Sequence, residues 1–233
     1  MTVWFALILG AYLLGSVPVS YLAAKLSRGI DLRQYGTAQM GAGNLWRMTS
    51  WRLGLPVGLF DLSKGLVMMW VAELAGLDIA QQLAVGAAAI AGHNWPIFLR
   101  FNGGRGIGTT MGVILIVPLI NGMAAWGVVT FFAIALIGSL IMRSSPLPVI
   151  IGVAALPLVS WLFNEPLSVT MGYLAILLII VIKRLTAPRT GGEVSKGRRL
   201  FNRLFFDRDI KGRKTWMYRV PSEAGSMEEP IEQ

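Results

Sequence analysis

The chain has 233 residues, 55% of them hydrophobic and only 14% charged, with 21 Lys and Arg against 12 Asp and Glu and a mean hydropathy of +0.62. Soluble domains carry about 25% charged residues, so this composition excludes an ordinary soluble fold, and its apolar character excludes a disordered chain. The absence of Cys removes disulfides, thiolate metal sites and cysteine nucleophiles, and a single His leaves little for a zinc site.

A basic excess points either to nucleic acid or to a membrane surface. In a chain this apolar it points to the membrane, and no nucleic-acid partner is expected. Apolar runs predict seven crossings, near residues 3–24, 53–75, 79–98, 107–120, 122–142, 146–163 and 167–182. The fold class expected is therefore an all-α integral membrane bundle. The first run lacks a basic leader and a small-residue cleavage site, so it reads as a retained span. Between Arg105 and Arg143 there is no charge at all. One helix of that length would overshoot a bilayer, and Pro118 followed by Asn121-Gly122 marks a turn. The stretch is therefore split in two.

Charges test that division. With the N-terminus outside, Lys25, Arg28, Arg33, Arg47, Arg52, Arg100, Arg105 and Arg143 all fall in inside loops. The outside turns hold Glu73, Asp78, Asn121, Asn164 and Glu165 and no Lys or Arg. This is a positive-inside pattern, and it places the C-terminus in the cytoplasm. Residues 1–182 then form the membrane body. Residues 183–233 form a basic tail that either lies on anionic headgroups or is solvated.

Four segments break the apolar pattern. Gly36–Arg47 packs Gly36, Gly41 and Gly43 among Thr37, Gln39 and Asn44 and ends on a guanidinium. It suits phosphate binding and equally suits a flexible inside loop. Asp61 and Lys64 share a helical face at membrane depth, either as a structural bridge or against substrate. In the third, Gly92-His93 leads through Pro96 into Asn102-Gly103-Gly104-Arg105-Gly106 and a new helix near Ile107. Free amides at a helix start beside a guanidinium make an anion site. It is neither a Walker A loop nor a dinucleotide fingerprint. His93 reads as a structural residue or as a base. Last, Arg143-Ser144-Ser145-Pro146 either completes a phosphate pocket or caps the next helix.

Taken together, Gly15-Ser16-Val17-Pro18, the Gly36–Arg47 loop, Asp61…Lys64-Gly65 and Gly92-His93…Pro96…Phe98…Phe101-Asn102-Gly103-Gly104-Arg105-Gly106 resemble the bacterial acyl-phosphate-dependent glycerol-3-phosphate acyltransferases, the PlsY family. The match covers about residues 10–112, and seven spans with an inside C-terminus fit it. The resemblance implies transfer of a fatty acyl group from acyl phosphate to the sn-1 hydroxyl of glycerol-3-phosphate in the cell membrane, with no cofactor and no metal. Acyl phosphate is already activated, so no covalent enzyme intermediate is needed, in keeping with the missing Cys and Ser–His–Asp sets. Catalysis then rests on positioning and on neutralising phosphate charge, with a substrate phosphate as the candidate base. The resemblance assigns Thr37, Arg47, His93 and Arg105 to catalysis. It assigns Gly36, Asn44, Lys64, Asn102, Gly103, Gly104, Gly106, Ser145 and Asn202 to substrate binding.

Several positions depart from the family pattern and indicate a divergent member. Gly36-Thr37-Ala38-Gln39 stands for Gly-Ser-Gly-Asn, Asn102-Gly103-Gly104-Arg105 for Lys-Gly-Gly-Lys, and Pro148 for a second serine. Lys183-Arg184-Leu185 lacks the family's His, and Asn202-Arg203-Leu204 echoes the later part of that motif only after an insertion. Two other readings compete: a transporter of small phosphorylated anions, or a non-catalytic scaffold of the same fold.

Overall fold

The computed structural model describes residues 1–188, 194–210 and 212–218; the tail expectation for 189–193, 211 and 219–233 lies outside the described residues. Helices are α1 Thr2–Ser16, α2 Val19–Arg28, α3 Ala42–Met48, α4 Trp51–Leu74, α5 Ile79–Asn94, α6 Ile107–Asn121, α7 Trp126–Met142, α8 Pro146–Leu162, α9 Leu167–Leu185, α10 Lys196–Phe206 and α11 Arg213–Met217. No strand occurs among the described residues. Residues 105–143 do form two helices, α6 and α7, and the turn signal acts one step late. Pro118 stays inside α6, which ends where Gly122 takes a left-handed conformation (φ 61°).

Among the described residues, three helical stretches are long and apolar enough to cross a membrane: Thr2–Arg28, Trp51–Leu74 and Leu167–Leu185. The apolar helices α6, α7 and α8 are shorter; at 15 residues, α6 reaches only about 22 Å. The first predicted span is not one uninterrupted helix. Pro18 has no N–H to continue the ladder, so α1 stops at Ser16 and α2 starts at Val19.

Small residues set the closest helix crossings. A Cβ on Gly92 would lie 2.1 Å from the Tyr12 carbonyl of α1, and one on Gly112 would lie 2.0 Å from the Leu62 carbonyl of α4. Backbones this close need glycine, and dispersion over the contact holds helices together where lipid removes the usual hydrophobic drive. The largest apolar cluster is built from α4 to α9 around Ile114, Val117, Phe131, Leu156 and Ile176. Many other large apolar side chains, among them Leu9, Leu59, Leu140 and Trp161, face outward. That arrangement suits lipid and would be costly in water.

Candidate active site

At one end of the bundle the loop 29–41, α3, the end of α5, the starts of α6 and α8, and α10–α11 enclose a cavity of about 350 Å³. Thr37, Asn44, Arg47, His93, Arg105, Gly106 and Ser145 all line it. Residues far apart in sequence are thus brought to one space. Gly36, Lys64, Asn102, Gly103, Gly104 and Asn202 do not line it, although several of them shape it from behind.

The first loop is held by Asn44. Its Oδ1 accepts from the Thr37 amide at 3.0 Å, and its Nδ2 donates to the carbonyls of Tyr35 at 3.0 Å and Gln39 at 3.2 Å. Gly36 lies against the same side chain: a Cβ there would stand 2.3 Å from Asn44 Oδ1. This folding leaves the Thr37 hydroxyl buried, without a partner, on the cavity wall. A buried hydroxyl with no partner costs about 1–3 kcal/mol, which a bound oxygen would recover. Arg47 opens into the cavity from α3, and its pKa is lowered by burial and by the charge of Arg213, against an opposing effect of Tyr218. It remains a cation at any physiological pH.

On α4, Asp61 forms the buried centre of a charged cluster. Its Oδ1 is 3.0 Å from Lys64 Nζ and 3.4 Å from His93 Nδ1. Lys64 also donates to the Val17 carbonyl at 2.8 Å and the Gly15 carbonyl at 3.3 Å. An ammonium has three donors, and all three are taken. Asp61 and Lys64 thus form a buried bridge.

In the glycine-rich loop two amides are engaged by the end of α5. The Gly103 amide donates to the Asn94 carbonyl at 3.2 Å and the Gly104 amide to the His93 carbonyl at 3.1 Å. These bonds satisfy the last carbonyls of α5 and fix the chain reversal, while Gly106, Ile107 and Gly108, at the start of α6, border the cavity. The glycines are needed for space. A Cβ on Gly104 would fall 2.2 Å from His93 Nε2, and Gly106, at φ 69°, starts α6 in a left-handed conformation. Arg105 projects from this loop into the cavity. Its Nε lies 2.7 Å from Asp207 Oδ1, at an angle outside hydrogen-bond geometry, and one terminal nitrogen donates to the Lys183 carbonyl at 3.2 Å.

Ser144 and Ser145 border the cavity, whereas Arg143 is exposed and does not. Ser145 makes no side-chain cap, and Pro146 begins α8. Asn202 is buried away from the cavity, donating to the Asp209 carbonyl at 3.3 Å. Two features escaped sequence reasoning. The Asp61–His93 contact joins two separate helices. Phe206, Asp207, Arg208, Arg213, Trp216 and Met217, from the segment after α9, form part of the cavity wall. The amphipathic run Arg198-Arg199-Leu200-Phe201 was the one available signal that this segment folds.

A lipid-facing helical bundle with a polar, cation-lined cavity at one end defines a membrane protein that handles an anionic ligand. The family profile described as glycerol-3-phosphate acyltransferase matches residues 5–188. Glycerol-3-phosphate acyltransferase 5 of Dehalococcoides mccartyi (strain ATCC BAA-2266 / KCTC 15142 / 195) is 41% identical over 230 residues, covering 95% of this chain and 96% of that protein. Glycerol-3-phosphate acyltransferase 4 of strain CBDB1 is 40% identical, covering 93% and 94%. Among solved structures, the glycerol 3-phosphate form of PlsY (YgiH), an integral membrane glycerol 3-phosphate acyltransferase, superposes with a TM-score of 0.72 at 25% identity over 97% of this chain and 99% of that one. Its lysophosphatidic acid form gives 0.70 at 26% identity over 91% and 96%. The chain belongs to the glycerol-3-phosphate acyltransferase family of integral membrane proteins, whose work is phospholipid biosynthesis.

Proposed function

We propose that this protein transfers a fatty acyl group from acyl phosphate to the sn-1 hydroxyl of glycerol-3-phosphate, releasing lysophosphatidic acid and phosphate. The observation that carries this reading is the cavity's charge: five arginines line it against two aspartates, and both aspartates already face protein cations. Such a space suits two reactants that each bear phosphate. Thr37, Arg47 and Arg105 touch the reactants. The hydroxyl oxygen attacks the acyl carbonyl carbon, a new ester C–O bond forms, and the bond to the phosphate oxygen breaks. The hydroxyl proton passes to a phosphate oxygen, so no protein nucleophile is consumed. The guanidiniums hold the two dianions side by side and neutralise charge as phosphate departs. His93 packs its Nε2 edge under Gly104 and serves the loop that carries Arg105.

The charge distribution supports seven crossings with the N-terminus outside, the cavity facing the cytoplasm of a bacterial cell membrane, and residues 183–233 as a cytoplasmic segment. Of the substrate-binding set, Asn44, Gly106 and Ser145 shape the wall directly. Gly36, Lys64, Asn102, Gly103, Gly104 and Asn202 act through the residues they hold. The deciding experiment uses purified protein in lipid, glycerol-3-phosphate, and either acyl phosphate or acyl-CoA. Lysophosphatidic acid formed from acyl phosphate alone is the expected result. Turnover with acyl-CoA alone, or none with either donor, overturns the reading. Arg47→Ala and Arg105→Ala should abolish turnover in protein that still folds.

A further inference from the structure

The family profile ends at residue 188, yet α10 and α11 close one side of the cavity. Their position is well anchored. Arg184 donates to the Leu204 carbonyl at 2.7 Å and Arg203 to the Leu185 carbonyl at 2.9 Å. Asp207, between the two helices, faces Arg105 at 2.7 Å and accepts from Gln39 Nε2 at 3.1 Å. Trp216 is buried.

This docking carries Arg208 and Arg213 into the space that Arg47 enters from α3. Among the described residues none of the three has an ion-pair partner. Arg213 donates to the Arg143 carbonyl, and Arg208 lies over the Phe206 ring at 5.1 Å. The cavity's two carboxylates are engaged elsewhere, Asp61 with Lys64 and His93, and Asp207 with Arg105. Burial depresses the pKa of both Arg47 and Arg208, and the charge of Arg213 depresses each further. Three guanidiniums gathered with no counter-charge among the described residues repel one another, and an anion among them removes that cost.

We propose that Arg208 and Arg213, delivered by the C-terminal segment, join Arg47 in a second phosphate subsite of the cavity that takes a phosphate monoester or acyl phosphate group. The proposal rests on the acyl-transfer reading: that reaction brings two phosphates together, one kept and one expelled, and each needs its own grip.

The test measures initial rates with each substrate varied in turn, for wild type, Arg213→Ala, Arg213→Lys and Arg208→Ala. Arg213 is exposed and, among the described residues, its side chain bonds only a carbonyl, so its alanine variant is expected to fold even if the Arg208 variant does not. Loss of a charge-assisted contact should raise KM about tenfold for one substrate. Lysine should recover part of the loss, and inhibition by inorganic phosphate should weaken. Which KM moves tells whether the subsite holds acyl phosphate or glycerol-3-phosphate. Unchanged KM values and unchanged phosphate inhibition in active variants overturn the subsite while leaving the reaction standing. If wild type turns over no acyl donor, the reaction reading fails by itself. Calorimetric binding of glycerol-3-phosphate then decides the subsite, supported by weaker binding to Arg213→Ala and overturned by equal binding.

Discussion

Lys64 Nζ lies 2.8 Å from the carbonyl of Val17, where Pro18 interrupts the first helix and the Val19 amide donates to the same oxygen at 3.1 Å. The buried ammonium ties this break, through the Val17 and Gly15 carbonyls, to α4 while balancing Asp61. Lys64→Met should therefore strand a buried carboxylate and release that tie. A loss of about 3–5 kcal/mol is expected, read as a large drop in the unfolding midpoint in detergent. The double variant Asp61→Asn/Lys64→Met should recover part of it, because the orphaned charge is gone.

Thr37 gives the opposite pattern. Its hydroxyl is buried without a partner, so Thr37→Val should leave stability unchanged or slightly higher, as removing an unsatisfied polar group relieves its desolvation. Turnover should fall about tenfold or more if that hydroxyl meets a phosphate oxygen. Thr37→Ser should keep most activity. A Thr37→Val enzyme with wild-type kinetics would remove this residue from the site.

Gly104→Ala tests space. The added methyl would meet the His93 ring and the Met40 carbonyl, the latter at 2.7 Å, and backbone cannot yield as a side-chain tip can. Loss of folded yield or of all activity is expected. Gly10→Ala on α1, away from the cavity and with nothing within 4 Å of the added Cβ, is the matched control and should remain near wild type.

Helix punctuation was legible where one residue type dictates local geometry. Pro96, Gly106, Gly122 and Pro146 each lie at a helix boundary. Thr37, Arg47, His93 and Arg105 could be read together because glycine and polar residues interrupt an otherwise apolar chain. Pro18 was missed as a break because the residues around it are apolar, so periodicity continues through it. The bonds that the Gly103 and Gly104 amides make to α5 were not legible, because their acceptors depend on how the chain reverses after Asn94. The contribution of α10–α11 was hidden for a different reason. The Arg105–Asp207 pairing spans half the chain, and no local pattern encodes it.

Acidity acts on the first loop through Asp31. The Arg33 guanidinium, 2.6 Å away, holds the Asp31 carboxyl below its ordinary value of 3.8, against a smaller opposing effect of burial. A depressed folded pKa means the pair stabilises fully above about pH 4 and loses that contribution as pH falls through the folded value. Both side chains are partly exposed, so the effect is under about 1 kcal/mol. Asp31→Asn should lower the unfolding midpoint slightly at neutral pH, and the difference should vanish in acid. A difference that grew in acid would contradict the assignment.

His93 stands where a base would, yet its Nδ1 faces Asp61 at 3.4 Å and its Nε2 edge lies against Gly104. On the proposed reading His93 supports the Arg105 loop, and proton transfer is left to the reactants' phosphates. His93→Gln should then raise KM and lower kcat together, by about tenfold each if the loop shifts by a fraction of an ångström, with the shape of the pH–rate profile unchanged. Asp61→Asn should act in the same direction, and the double variant should be little worse than either single one, since both feed one contact chain. A general base would behave otherwise: kcat alone would drop by about 10²–10⁴, and one limb of the profile would disappear. Rates measured across pH at saturating substrate separate the two roles directly.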